Sequence, residues 1–356
     1  MKILYGIQGT GNGHLARARA LVPELIAQGH ELDFVFSGRK REDFFNMEVF
    51  GDDFKVFDGA TLVTRAGQLD LKQTWRSNDF LGLFKAIKQL DLDGYDLVLS
   101  DFEPITAWAA KLRGKTSMSI SHQSAFHYDI PKVSGHKISQ FVTSYFAPTT
   151  HTLGLHWHHF NQAILPPMIE PLQAKPIVKG KYLLYMGFED LSDIIKFLMP
   201  FQQVKFEVFA KVDSKKRYGH ITVNPLSHVE FHRHLSDCEG VIANAGFELA
   251  SECLHLGKKI LVKPVLGQYE QLSNALALQG LGAGSAINRL DTEALRRWLE
   301  QPAKAPNAYP NVAKAIACWL NEGNWDNVKV LSEQLWAELP TPYTFEQPLK
   351  QKLQFA

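Results

Sequence analysis

Gly9-Thr10-Gly11-Asn12-Gly13-His14 follows the apolar stretch Lys2-Ile3-Leu4-Tyr5-Gly6-Ile7 and precedes an amphipathic run from Leu15 to Ala27. A short apolar strand, a glycine-rich turn and a helix opening on a histidine make the first βα unit of a doubly wound parallel sheet. Glycines let the backbone turn tightly and approach a ligand, and a helix start offers unpaired N–H groups to an anion. Three chemistries compete for such a turn. The spacing lacks the third glycine of the dinucleotide fingerprint, and Glu31 and Asp33 are only loosely placed as the acid that holds a ribose, which argues against a nicotinamide cofactor. A P-loop needs Lys followed by Ser or Thr after its last glycine, and His14-Leu15 stands there instead. What remains is an imidazole at a helix start, where the dipole disfavours the charged ring and keeps it available as a base. The alternative is that His14 only caps the helix.

The chain has 356 residues, which suits two domains of ordinary size. Its 38 basic and 37 acidic residues leave a formal net charge of +1, so there is no electrostatic case for a nucleic-acid partner. No apolar run reaches the ~18 residues of a membrane span, and glycines break the first apolar stretch before it could act as a signal peptide. A cytoplasmic protein without a transmembrane segment is expected, with peripheral contact to a membrane surface left open. Cys238, Cys253 and Cys318 show no CxxC spacing, so they read as buried free thiols rather than as a disulfide or zinc framework.

Beyond the first unit, strands are predicted at Glu31 to Phe36, Phe54 to Phe57, Tyr95 to Ser100 and up to Ser121, with helices at Arg39 to Met47 and Thr74 to Leu90. Strands alternating with helices mean a parallel sheet, whose ligands gather at the strand carboxyl ends. Asp101 falls at such an end, placed to fix the tautomer of His14; the competing role is N-cap of a helix starting near Pro104. His122 falls at the next strand end, to line the same cleft or to sit there as a satisfied polar residue. Asp91-Leu92-Asp93 has the D-x-D form of metal-dependent sugar transferases, but at a helix end its acids read as solvated. His151, His156, His158 and His159 are dense enough to suggest metal, yet His156 and His158 share a strand face while His159 points away, so a strand leaving the first domain is the better reading. No metal and no cofactor is expected.

Domain 1–165 is then followed by the proline-rich linker 166–178, a second alternating domain 179–301, and two amphipathic helices in 302–356 that are candidates to pack back on the first domain. Strands at Lys181 to Gly187, Lys205 to Phe209, Gly240 to Asn244 and Lys259 to Val262, with helices at Leu191 to Met199 and Val229 to Leu235, make a second open α/β sheet. In the tail, Trp319, Trp325 and Trp336 read as packing anchors. The fold class is thus α/β, two Rossmann-like doubly wound domains facing across a cleft.

These residues resemble the glycosyltransferase superfamily of two facing Rossmann-like domains, the GT-B type, which includes the peptidoglycan N-acetylglucosaminyltransferase and the plant and animal UDP-sugar transferases. With its G-x-G-x-G-H start, its Ser100-Asp101-Phe102-Glu103-Pro104 and its proline-rich linker, the chain most resembles an uncharacterised prokaryotic branch related to UDP-glucuronosyltransferases. The resemblance implies that Gly9, Thr10, Gly11, Asn12, Gly13 and His122 form the acceptor side, with His14 as base and Asp101 as its partner. It implies a donor signature in Asn244-Ala245-Gly246-Phe247-Glu248-Leu249-Ala250-Ser251-Glu252, where the turn and helix start bind diphosphate and Glu252 binds the ribose. Pro264 and Glu270-Gln271 resemble the pair that grips the donor sugar. Asn244 stands where plant enzymes place a phosphate-binding histidine, Leu249 where they have a hydroxyl residue, and their tryptophan and glutamine have no clear match between Val223 and Leu235. The expected partners are a nucleotide diphosphate sugar, taken as a UDP-sugar, and an acceptor hydroxyl of unknown kind; oligomeric state is not legible. Two other readings stay open: a UDP-sugar 2-epimerase using Asp101, Glu103 and Glu248, and a non-catalytic nucleotide-sugar-binding protein.

Overall fold

Ile3 to Gln8 are buried in the first strand, β1 (Lys2–Gln8), as an apolar run covered on both faces of a parallel sheet must be. The structure, a computed structural model, describes residues 1–60, 64–65, 68–69, 73, 78–134, 144–340 and 343. β1 lies inside a six-stranded sheet with β2 (Glu31–Ser37), β3 (Phe54–Phe57), β4 (Leu97–Asp101), β5 (Ser117–Ser121) and β6 (His151–Gly154), in the order β3-β2-β1-β4-β5-β6. Every pairing is parallel. The strand order reverses between β1 and β4, and their carboxyl ends open the crevice in which such sheets bind ligands. Around the sheet lie α1 (Gly13–Ala27), α2 (Phe80–Gln89) and α3 (Pro104–Leu112).

The second sheet repeats the plan. It contains β7 (Lys181–Tyr185), β8 (Lys205–Ala210), β9 (Lys216–Tyr218), β10 (Ile221–Pro225), β11 (Gly240–Asn244), β12 (Lys259–Lys263) and β13 (Ser285–Ala286), in the order β9-β10-β8-β7-β11-β12-β13. Only β9 is antiparallel, at the edge on β10; the other six follow the strand order of the first sheet. Helices α4 (Leu191–Leu198), α5 (His228–Asp237), α6 (Phe247–His255), α7 (Tyr269–Gly280) and α8 (Thr292–Leu299) cover it. Two Rossmann-like sheets therefore face one another, which is the GT-B architecture.

In the tail, α9 (Val312–Glu322) lies against α1, and Asn311 donates to Glu24 at 2.9 Å. From α10 (Val328–Ala337), Ser332 Oγ and Trp336 Nε1 both donate to the Ile164 carbonyl, at 2.7 and 2.6 Å. Trp319 and Trp336 are buried, while Trp325 donates to the Leu320 carbonyl and meets His151 edge-on. One apolar core joins residues of both sheets and of these two helices. Cys238 and Cys253 are free and buried, and Cys318 is free and half-buried. Among the described residues no helix is long and apolar enough to cross a membrane.

Three local expectations are corrected. Arg39 to Met47 forms a single 3-10 turn at Arg41–Asp43 instead of a helix. The reason is that Arg19 donates to the carbonyls of Phe45 and Asn46 at 3.0 and 3.1 Å, and Asn46 turns left-handed at φ 52°. The helix expected from Thr74 starts, in its described part, at Phe80, where Asp79 accepts from the Gly82 N–H; residues 74–77 lie outside the described residues. The histidine-rich run does not continue β6. His156, His158 and His159 instead accept backbone N–H groups of Trp157, Phe160 and Asn161 through Nδ1, at 2.8 to 2.9 Å, in an irregular segment.

Candidate active site

The turn after β1 is shaped by contacts on three sides. The Gly9 N–H donates to the Ser37 carbonyl at 2.6 Å, and Gln8 reaches from β1 to Thr10 and to the Ala60 carbonyl, both at 2.9 Å. Gly11 sits at φ 90°, a conformation that strains any side chain. A Cβ on Gly13 would lie 2.9 Å from Glu248 Cγ in the opposite domain, so this glycine admits the partner domain rather than a ligand. Asn12 bridges the cleft, donating to Tyr185 Oη at 3.4 Å and accepting from Arg39 at 3.3 Å.

His14 stands in the first turn of α1, and its Nδ1 lies 2.7 Å from Asp101 Oδ1. Asp101 ends β4 opposite Ile7 of β1, which brings the two strand ends together. Capping of α3, the other role weighed for Asp101, falls to Glu103. Its carboxylate accepts from the N–H groups of Ile105 and Thr106 and the hydroxyls of Thr106 and Ser37 at 2.6 to 2.9 Å. Between the two acids Phe102 adopts φ 54°, and its ring lies parallel to that of His14 with centroids 6.4 Å apart. A bulky residue held in the left-handed region is a local cost that a site tolerates in order to aim its neighbours.

Arg17, absent from the sequence expectations, completes the cluster. Its guanidinium is 2 % exposed and donates to both Asp101 oxygens, from Nε at 2.9 Å and from Nη2 at 2.7 Å, while Nη1 donates to Glu248 of α6. Nη2 is also 2.7 Å from His14 Nδ1. Burial would raise the Asp101 pKa, but Arg17 and His14 outweigh it and hold the carboxyl below its ordinary range. Burial pushes the Glu248 carboxyl up to about 8 against the pull of Arg17. One guanidinium thus serves two buried carboxyl groups beside a ring whose Nδ1 can donate to Asp101 or accept from Arg17 but not both. The signal missed in the sequence is a cation three residues after His14 on the buried face of α1.

Across the cleft, α6 begins at Gly246 with nothing within 4 Å of where a Cβ would stand, leaving room at the helix start. Asn244 ends β11 and donates Nδ2 to the Lys263 carbonyl at 3.1 Å, while its buried Oδ1 has no partner. One Nδ2 hydrogen is thus held by the Lys263 carbonyl, which leaves the second as the donor this amide has for a phosphate, while Oδ1 can only accept. Gln271 is corrected in part. It lines the cavity, but its Oε1 accepts from the N–H groups of Ala245 and Val265 at 3.2 and 2.9 Å, tying two loops together. Glu270 accepts from Gln123 at 3.0 Å. Glu252 is nearly buried, with Oε1 3.3 Å from His232 Nε2 of α5; burial lowers the His232 pKa, but Glu252 and Glu170 raise it above its ordinary value.

His122 does not line the cleft. Fully buried, it stacks on Phe247 with ring centroids 3.9 Å apart and contacts Asn274 at 2.7 Å, so it docks the domains together. Asp91 and Asp93 are exposed in a turn where the Asp93 N–H binds Asp91. The remaining parts converge on one cavity of about 480 Å³, lined by the Thr10 to His14 turn, Arg17, and the α6 start with Asn244, Gly246, Glu248 and Glu252. Ala245, though part of the same turn, is buried behind it.

A family model described as "Glycosyl transferase family 1" matches residues 1–302. A protein of Methanosarcina acetivorans described as an uncharacterized glycosyltransferase is 26% identical over 363 residues, covering 85% of this chain and 91% of its own. Another of that description, from Methanosarcina mazei, is 26% identical over 337 residues and covers 81% and 86%. Among solved structures, the glycotransferase of kitacinnamycin superposes with TM-score 0.58 at 16% identity over 95% of this chain and 99% of that one. The MurG protein of Acinetobacter baumannii superposes with TM-score 0.51 at 14% identity over 90% and 99%. At such identities the solved structures speak for the fold alone.

Proposed function

The chain belongs to glycosyl transferase family 1, and we propose that it is an inverting, metal-independent enzyme moving a sugar from a nucleotide diphosphate donor, a UDP-sugar, to an acceptor hydroxyl. The observation that carries this reading is the His14–Asp101 pair at 2.7 Å, set across one cavity from the open start of α6. With Nδ1 protonated and donating to Asp101, His14 Nε2 takes the proton of the acceptor hydroxyl. The oxygen attacks the anomeric carbon from the face opposite the diphosphate, the bond from that carbon to the leaving oxygen breaks, and configuration inverts. Charge gathering on the diphosphate meets the N–H groups and dipole of α6. Glu252, lining the same cavity, holds the ribose. Arg17 positions Asp101 and neutralises it, which leaves Asp101 an acceptor for the imidazolium as it forms.

The epimerase reading loses support because Glu103 is spent as the cap of α3, away from the cavity. The test is turnover of UDP-sugars with a panel of acceptors in EDTA, followed by NMR of the product's anomeric configuration. The inverted anomer is expected. Retained configuration, or activity that manganese alone restores, overturns the mechanism, and saturable binding without turnover supports a non-catalytic nucleotide-sugar-binding protein.

A further inference from the structure

Away from the base and the helix start, α5 presents His228 and His232 four residues apart, hence on one face. Facing them is Glu170, from the proline-rich segment between the sheets. His228 Nε2 lies 3.2 Å from the Glu170 carboxylate, and one ligand atom from each of His228, His232 and Glu170 falls within 4.8 Å of the others. The two imidazoles meet edge to face with centroids 4.1 Å apart. Ligands held at the usual zinc bond lengths of about 2.0 to 2.2 Å in a tetrahedron stand about 3.4 Å from each other, which the 3.2 Å between His228 and Glu170 matches, and all three ligand atoms lie within 4.8 Å.

We propose that His228, His232 and Glu170 form a binding site for a borderline divalent transition metal of the zinc type. Two imidazoles and one carboxylate select that class over magnesium or calcium, which take oxygen ligands. Charge favours it as well. Glu170 and Glu252 bring two carboxylates and Arg19, 3.9 Å from Glu170, one guanidinium, so with neutral imidazoles the corner carries one net negative charge. Three protein ligands leave the remaining coordination position open toward the cavity that His228 and His232 line. An ion here clips the segment joining the sheets onto α5.

The experiment is titration of tag-free, metal-stripped full-length protein with Co²⁺, read by visible absorption, and with Zn²⁺, read by calorimetry. One equivalent with the visible bands of imidazole-bound cobalt is expected. His228→Ala and His232→Ala should each weaken binding by more than the about 10- to 100-fold that loss of an outer-shell partner costs. His158→Ala and His159→Ala, in the other histidine-rich stretch, should leave it unchanged. Glu170→Gln keeps the side-chain shape and should also weaken binding with the metal-free melting temperature unaltered, which decides the matter if a histidine variant fails to fold. Absence of saturable one-to-one binding, or binding that these three substitutions leave intact, overturns the site. Neither readout depends on sugar transfer.

Discussion

The two walls of the cleft differ in how completely they satisfy themselves. On the β1 and β4 side, His14, Arg17 and Asp101 are each held by partners at 2.7 to 2.9 Å, although Tyr5 Oη behind them is buried without a partner. On the α6 side, Asn244 Oδ1 is buried without a partner and the space beside Gly246 is open. A finished network costs little reorganisation when charge develops on it, whereas unpaired polar groups around open space are completed by a ligand. The difference teaches a division of labour: one wall carries chemistry set in advance, the other recognition. Arg17 donating to Glu248 is the joint between them.

The most direct way to break that division is His14→Ala. Loss of a general base costs about 10²- to 10⁴-fold, on the order of 3 to 5 kcal/mol in the barrier, while donor affinity by calorimetry stays near wild type because the donor rests on the other wall. Equal loss of both would erase the distinction. Next is Arg17→Met, which leaves Asp101 buried without its counter-ion and should cost about 3 to 5 kcal/mol in denaturant unfolding. An unchanged unfolding midpoint would mean that the cluster contributes no net stability.

The two walls were also unequally legible. Strand, glycine turn and helix could be read from Lys2 to Ala27 because hydrophobic period and backbone chemistry are local there. Asp101 could be placed near His14 because strand ends of a parallel sheet converge. Arg17 could not, since an arginine in an amphipathic helix reads as solvent-facing until Asp101 and Glu248 are brought to it from 84 and 231 residues away. The missing helix after Arg39 has the same cause, because Arg19 takes the carbonyls of Phe45 and Asn46 from another element. β10 escaped notice as a short run closing on Pro225. His122 has a legible position but an illegible role, since only the docked domains set it against Phe247.

Recognition is tested at Glu252. A carboxylate accepting from both ribose hydroxyls makes charge-assisted bonds, so Glu252→Ala should weaken nucleotide-sugar binding by about 1.5 to 3 kcal/mol, and Glu252→Gln should keep part of it. His232, 3.3 Å away, competes for the same carboxylate. Calorimetry that finds the alanine variant binding as tightly as wild type would move recognition elsewhere on this wall.

The effect at the joint is the smallest at pH 5 and grows with pH, so it is read in the pH dependence of stability. Glu248 has its pKa raised from 4.5 to about 8 in the fold, chiefly by burial. The folded state therefore holds this proton more tightly than the unfolded chain. The resulting stability is fully present below 4.5 and is lost as pH rises through about 8. Asp101 runs the other way, since its folded pKa is depressed: its contribution stands above 3.8 and fades only as pH falls through the lower folded value. The two windows do not overlap, so Glu248→Gln isolates the joint. At pH 5 glutamine stands in for the protonated acid with about 1 kcal/mol or less at stake, the worth of one altered hydrogen bond. Toward pH 8 wild type should lose stability relative to the variant, because it alone must ionise a buried carboxyl. The histidines titrating in this range are common to both proteins, so the difference between their melting curves carries the Glu248 contribution. Curves that stay parallel from pH 5 to 8 would mean that Glu248 is already ionised against Arg17, and that the joint between the walls is a salt bridge and not a protonated acid accepting from a guanidinium.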